Sequence, residues 1–291
     1  MAISKSAGYD TLPSGNFLPI IYSQKVQKFF RTASVVEDIT NTDYAGEIDN
    51  YGDTVNIIKE PTISVSSYTR GGAINIQNLA DDQIQLIIDQ ANAFAFKVDD
   101  IEERQSHINF EALATSSGAY ALKDSYDENV LAAMVAGAGT NLGTIDTGHG
   151  SGDTDPLNTL ASGAKTLHAS DVPTDNRWFV STPEFYEQLA QSSSKLLDAS
   201  VTGDAASPLR NGQVMAGQIQ GFKLYMTNNF AALSGLFGPM SSTATANQIA
   251  KTEVVRDPDS FSDIVRGLHV FGRKVLRTEA LVKATFTYDS D

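Results

Sequence analysis

The stretch IVRGLHVFGRKVLRTEALVKATF, residues 264 to 286, holds five of the chain's 21 basic residues (Arg266, Arg273, Lys274, Arg277 and Lys283) and a single acidic one. It stands in a protein of 291 residues whose formal net charge is -14. Apolar and polar residues alternate on either side of Gly272, which is the period of strands. A basic strand pair in an acidic chain requires either carboxylates or nucleic-acid phosphates opposite it.

Composition narrows the choice. The length allows one large or two modest domains with a sizeable core, and 41% hydrophobic with 19% charged residues is the balance of a globular chain. Phosphate binding draws on clustered Lys and Arg, so the acidic balance argues against nucleic acid as the main partner. There is no cysteine, which excludes disulfides, thiol nucleophiles and cysteine-ligated metals and leaves stability to packing or association. The opening MAISKSAGYDTLPSGNF lacks the apolar core and cleavage site of a secretory signal, and no run resembles a membrane span; the cytoplasm is the expected compartment.

Outward from the basic segment, the chain divides by pattern. Residues 1 to 40 read as an extended arm, broken by Pro13, Gly15 and Pro19 but carrying Phe17, Leu18, Ile20, Ile21, Tyr22, Phe29 and Phe30. That much apolar surface is expected to lie on another surface, of its own or a neighbouring subunit. Residues 46 to 98 alternate as strands (Val55 with Ile57, Ile63 with Val65, Ile74 with Ile76, Ile84 with Leu86, Phe94 with Phe96 and Val98), and Arg70-Gly71-Gly72 marks a turn near the midpoint. A two-stranded arm buries too little to stand alone; it rests either on its own core or on an adjacent subunit.

A helix is expected to open at Asp99, Asp100, Glu102 and Glu103, carboxylates suited to the positive end of a helix dipole. Ile101, Ile108, Ala112, Ala119, Leu122, Tyr126, Val130 and Met134 then recur on one face. Unbroken to about Val135 it would run on the order of 50 Å, with Ser116-Ser117-Gly118 as a place to bend or interrupt it. Residues 143 to 155, GTIDTGHGSGDTD, read as loop. Leu157, Leu160, Ala164 and Leu167 mark a further helix. In DVPTDNRWFVSTPEFYEQLAQ (171 to 191) a turn leads to a buried strand at Trp178-Phe179-Val180 and a helix begins at Pro183 with Thr182 as cap; Ser181 and Glu184 have the spacing of a capping box. QSSSKLLDASVTGDAAS reads as an exposed loop, and GQIQGFKLYMTNNF (217 to 230) as a strand pair.

No enzyme motif emerges. His149 with Asp146, Asp153 and Asp155 matches neither a zinc pattern nor a calcium loop. GAKT at 163 to 166 lacks the upstream glycine of a phosphate loop, and no nucleophile elbow surrounds Ser181. His107, His149, His168 and His269 stand in different segments, and acidic pairs in an acidic chain carry little information about acid/base chemistry.

The succession of parts resembles the major capsid proteins of tailed bacteriophages, which have the Hong Kong 97-like fold. Four patterns carry it: AGEIDNYGDTVNI (45 to 57), PTDNRWFVSTPEFYEQL (173 to 189), GQIQGFKLYMTNNF (217 to 230) and FSDIVRGLHVFGRKVLRTEAL (261 to 281). The resemblance implies an α+β chain with an N-terminal arm (1 to 40), an extended E-loop hairpin (41 to 98), a peripheral domain with a spine helix (99 to 149), a mainly axial domain (150 to 240) and a return to peripheral strands (241 to 291). It implies a non-enzymatic coat subunit that assembles as hexamers and pentamers into an icosahedral shell around double-stranded DNA, in the virion, after assembly in the bacterial cytoplasm. No cofactor and no membrane are implied. The partners would be further copies, a portal protein, DNA held without sequence-specific contacts and, because no long extension precedes the arm, a separate scaffolding protein; a decoration protein stays open. The covalent Lys to Asn cross-link used by some members is not assigned; Lys59, in the hairpin, is a candidate that no other residue pattern supports. An encapsulin-like compartment of the same fold is the alternative, and an enzyme with a cryptic pocket the third reading.

Within that resemblance, Arg266, Arg273, Lys274, Arg277 and Lys283 are expected where subunits converge. Their partners would be Glu47, Asp49 and Asp53 at the hairpin base and Asp99, Asp100, Glu102 and Glu103 beyond it; Arg70 sits at the hairpin tip. Opposite charges would set register more than add affinity. A polyanionic lumen would let DNA spool without sticking, and the glycines near 136 to 152 would let one chain fit fivefold and sixfold surroundings.

Overall fold

The computed structural model of the protein describes residues 34–44, 54–59, 63–74, 76–77, 83–99, 110–150, 152–191 and 218–288. The arm residues before Ser34 lie outside the described residues, as do Glu47, Asp49, Asp53, Asp100, Glu102, Glu103, His107 and the polar stretch after Gln191.

Two sheets and one long helix carry the fold. Strands β1 (Thr54–Ile58), β2 (Gln83–Asp99), β8 (Thr243–Arg256) and β9 (Ser262–Val275) form a sheet in the order β1-β2-β9-β8. β2 is shared. Its first residues pair antiparallel with β1, from Ile58↔Gln83 to Thr54↔Ile87, and from Ile88 onward it pairs antiparallel with β9, as far as Asp99↔Ser262. At 17 residues it spans roughly 55 Å, and its alternating burial reflects a sheet covered on one face.

The helix α2 (Phe110–Gly137) crosses that face. At 28 residues it is about 42 Å long and runs unbroken through Ser116-Ser117-Gly118, the place named for a bend or an interruption. The reason lies in the sheet. A Cβ at Gly118 would stand 2.7 Å from the Phe94 ring, and a Cβ at Gly267 on β9 would meet the same ring from the other side. Gly118 therefore admits an aromatic wedge instead of relaxing the helix. The expected helix start at Asp99 is also corrected: Asp99 is the last residue of β2, in register with Ser262, because the strand pairing continues to that point.

The second sheet takes its strands in the order β3-β10-β7-β4-β6-β5: β3 (Thr140–Asp146), β4 (Arg177–Ser181), β5 (Gln218–Ile219), β6 (Phe222–Met226), β7 (Ser234–Pro239) and β10 (Val282–Thr287). β4 lies at its centre, buried at all five positions. Phe179 faces the helices α3 (Pro156–Ala169) and α4 (Pro183–Ala190) in a core with Leu160, Leu167, Phe185, Phe222, Phe237 and Phe286. Trp178 and Val180 face the other way, into a core with Tyr126, Val130, Met134, Leu281 and the single-turn helix α1 (Val36–Ile39). Burial on both faces explains why RWFVS reads as a continuous apolar run.

Local expectations for this half stand with three changes. Asp155 caps α3 by accepting from the Leu157 N–H at 2.9 Å, and Pro183 opens α4 after Thr182, which holds the cap position but makes no side-chain capping bond. The capping box does not form: the Ser181 hydroxyl donates to the Ser234 carbonyl at 3.2 Å, tying β4 to β7 instead. Residues 143 to 146, expected as loop, are strand, because β3 runs parallel to β10. The turn between β5 and β6 has Gln220 and Gly221 at φ 53° and 83°, the geometry that joins two antiparallel strands tightly.

Gly272 does not separate two strands, as its place in the basic stretch suggested. It lies within β9 at a register shift opposite Ile88, where a Cβ would collide with the Ile87 carbonyl at 2.5 Å. The chain leaves the first sheet later, through Leu276, Arg277 and a 3-10 turn at Thr278–Ala280.

Candidate inter-subunit surface

The hairpin between β1 and β2 turns at Arg70-Gly71, with Gly71 at φ 84° and the Gly72 N–H donating to the Thr69 carbonyl at 2.8 Å. Among the described residues only its base is paired as strands. Among the described residues farther out, the link between the two arms is the Gln77 side chain, which accepts from the Ser64 N–H and hydroxyl at 2.9 Å each. The strand alternation expected from 63 to 77 thus gives an extended, unladdered arm, since two strands without a second layer do not hold a ladder. Its apolar side chains stay in solvent: Val65 is 97% exposed, Ile76 85%, Ile58 83% and Ile74 74%.

The basic segment divides into two kinds of residue. Arg266 pairs with Glu253, its cross-strand neighbour in the β8–β9 register. The Arg273 guanidinium reaches Asp89 on β2 at 3.1 Å and the Asn129 carbonyl of α2 at 3.2 Å. Lys283 donates to the Val135 carbonyl near the end of α2 at 3.1 Å. Arg266 ties β9 to β8 within one sheet, Arg273 joins that sheet to α2, and Lys283 joins α2 to the second sheet. Lys274 and Arg277 are exposed and have no ion-pair partner among the described residues. Arg70 is exposed at the hairpin tip, and Asp99 at the end of β2.

One functional group stood unremarked in the sequence. Asp127, only 1% exposed, accepts the Ser34 hydroxyl at 2.8 Å and the Val35 N–H at 3.1 Å. Burial pushes its carboxyl above the usual range, and those hydrogen bonds oppose the shift only in part. It fixes where the N-terminal chain enters the fold. The available signal was a carboxylate next to the apolar stripe of Tyr126, Val130 and Met134. Beside it Tyr126 meets His269 and Phe271 edge-on, ring centroids 5.4 and 4.8 Å away, and burial holds the His269 imidazole below its usual pKa, favouring the neutral form.

Between the hairpin base and the segments at Ser241 and Leu276 to Glu279 lies a groove of about 400 Å³. Its floor is Tyr44, Ile57, Ile84 and Leu276; Lys59, Arg277 and Glu279 stand on its rim. His149, weighed as a metal ligand, bonds instead through Nε2 to the Gln188 carbonyl at 2.9 Å.

No protein-family model matches the chain, and no curated protein matches it. Solved structures do. One from Mycobacterium phage Che8 is 32% identical, with TM-score 0.81 over 92% of this chain and 97% of its own. The capsid structure of the Cyanophage P-SCSP1u is 16% identical, with TM-score 0.77 over 94% of each chain. The capsid of a native GTA particle, 12% identical, shares the fold with TM-score 0.68 over 97% of this chain and all of its own. The chain thus agrees with phage capsid structures over nearly its whole length, and it belongs to the major capsid proteins of tailed bacteriophages, with their Hong Kong 97-like fold.

Proposed function

We propose that this capsid protein assembles as hexamers and pentamers into a closed icosahedral shell around double-stranded DNA, and that its role is structural rather than catalytic. The hairpin carries the reading. Ile58, Ile63, Val65, Tyr68, Ile74 and Ile76 are between 65% and 97% exposed on an arm that has no second layer among the described residues. Fully burying one such side chain is worth about 1.5 to 3 kcal/mol. A neighbour's surface beneath six of them supplies a driving force on the order of 10 kcal/mol before ordering costs.

The division into an arm (1 to 40), E-loop (41 to 98), spine-helix region (99 to 149), mainly axial domain (150 to 240) and returning strands (241 to 291) is part of the same proposal. It is supported by the placement of α3, α4 and strands β4 to β7 in one sheet-and-helix layer and of β8 and β9 beside β2. Lys274, Arg277 and Arg70 are assigned to contacts between subunits, facing carboxylates that include Asp99 and, beyond the described residues, Glu47, Asp49, Asp53, Asp100, Glu102 and Glu103. A separate scaffolding protein, a portal protein and a decoration protein complete the proposed partners. DNA is held without sequence-specific contacts in an acidic shell, and assembly takes place in the host cytoplasm.

Expression of the chain, alone and with a scaffolding partner, followed by sedimentation and negative-stain microscopy tests the reading. Closed shells are expected. A compact monomer at every concentration, with the hairpin folded onto its own subunit, overturns it.

A further inference from the structure

The groove at the hairpin base combines an apolar floor with a cation that has no ion-pair partner among the described residues. Tyr44, Ile57, Ile84 and Leu276 are each partly exposed, and the Arg277 guanidinium stands beside them. The one carboxylate of the lining, Glu279, accepts from the Thr278 hydroxyl at 3.3 Å. An occupant that fits must present a large apolar side chain with a carboxylate within a residue or two, so that one fills the floor and the other pairs with arginine.

Among the described residues, one segment has that pair in exposed form. It is the tip of the β8–β9 hairpin, Asp257 to Phe261, where Phe261 is 81% exposed and the Asp259 carboxylate has no ion-pair partner. Elsewhere the carboxylate is already engaged: Asp89 beside Ile87 by Arg273, and Glu253 beside Val254 by Arg266. The hairpin apolar residues Ile63 to Ile76 have no carboxylate among their neighbours. The tip is also held in shape. The Asp257 carboxylate accepts from Lys97, from the Ser260 hydroxyl at 2.7 Å and from the Asp259 N–H at 3.1 Å, so little ordering remains for binding to impose.

A subunit cannot fill its own groove with its own tip. The 14 residues of β9 hold them roughly 45 Å apart. We propose that the Asp257–Phe261 tip of one subunit docks in the hairpin-base groove of another, Phe261 on the floor and Asp259 against Arg277. The contact is head-to-tail, so it passes from copy to copy and closes only where the rotation between copies closes. It rests on the shell reading above and deepens it by naming the partner of Arg277.

Because the chain has no cysteine, the contact can be read directly. The double variant Phe261→Cys/Leu276→Cys, assembled and then oxidised, is expected to give a ladder of covalent oligomers on a non-reducing gel, and either single variant none. Independently, Asp259→Arg and Arg277→Asp should each prevent shells and their combination restore them. Shells of the double-cysteine variant without a ladder, or charge variants that assemble normally, overturn the docking while leaving the capsid function standing. A wild-type chain that never forms shells overturns the shell reading, and the docking with it.

Discussion

The buried carboxylate of Asp127 accepts the hydroxyl of half-buried Ser34 at 2.8 Å across 93 positions of sequence. Its carboxyl is raised above the usual aspartate range chiefly by burial. A folded pKa above the unfolded one means that this group's contribution to stability is full below about pH 4 and is lost as pH rises through the raised pKa. Thermal unfolding from pH 4 to 7 should therefore show a decline to which this residue contributes. Asp127→Asn, which keeps one acceptor and has no charge to bury, should flatten that decline. Asp127→Ala leaves the Val35 N–H unpaired and should cost about 1 to 3 kcal/mol.

Gly118→Ala tests the aromatic wedge. In an exposed helix interior this change stabilises by about 1 kcal/mol. Here the new methyl meets the Phe94 ring, and overpacking should reverse the sign, costing about 1 to 3 kcal/mol. Phe94→Leu in the same chain should recover part of the loss. Denaturant midpoints of the three variants decide it.

Ile76→Asp separates folding from assembly. The side chain is 85% exposed and touches no core cluster, so far-UV circular dichroism and melting temperature should not change. Shell yield by sedimentation should fall, because a charge would be buried under the neighbour. An unchanged yield would remove the hairpin from the interface.

Arg273 and Arg277, four positions apart, should fail differently. Arg273→Ala removes bonds to Asp89 and to the Asn129 carbonyl and should lower subunit stability by about 1 to 2 kcal/mol, discounted for its partial exposure. Arg277→Ala should leave the subunit's melting temperature as it was and reduce assembly. Melting curves beside sedimentation profiles distinguish the two outcomes.

Elements whose signal is local were legible in the sequence. The Trp178 strand, the Pro183 helix, the Gln220-Gly221 turn and the Arg70-Gly71 turn each follow from a few neighbouring side chains and the backbone angles these favour. The hairpin was legible as well, but whether it lies on its own core or stands clear of it was not, since two strands need a support that the local sequence does not name. The order of these parts was enough to suggest the family.

Tertiary structure decided everything that depends on a residue distant in the chain. Gly118 bends no helix because Phe94 and Gly267 close around it. Asp99 ends a strand because Ser262 stands opposite. Arg266, Arg273 and Lys283 hold their own subunit together, while Arg277 faces a groove, and net charge cannot sort one kind from the other. Local preference sets which backbone shape a segment takes up, whereas the partner of a side chain is set by which segments the sheets bring together, and that is a property of the whole packed chain.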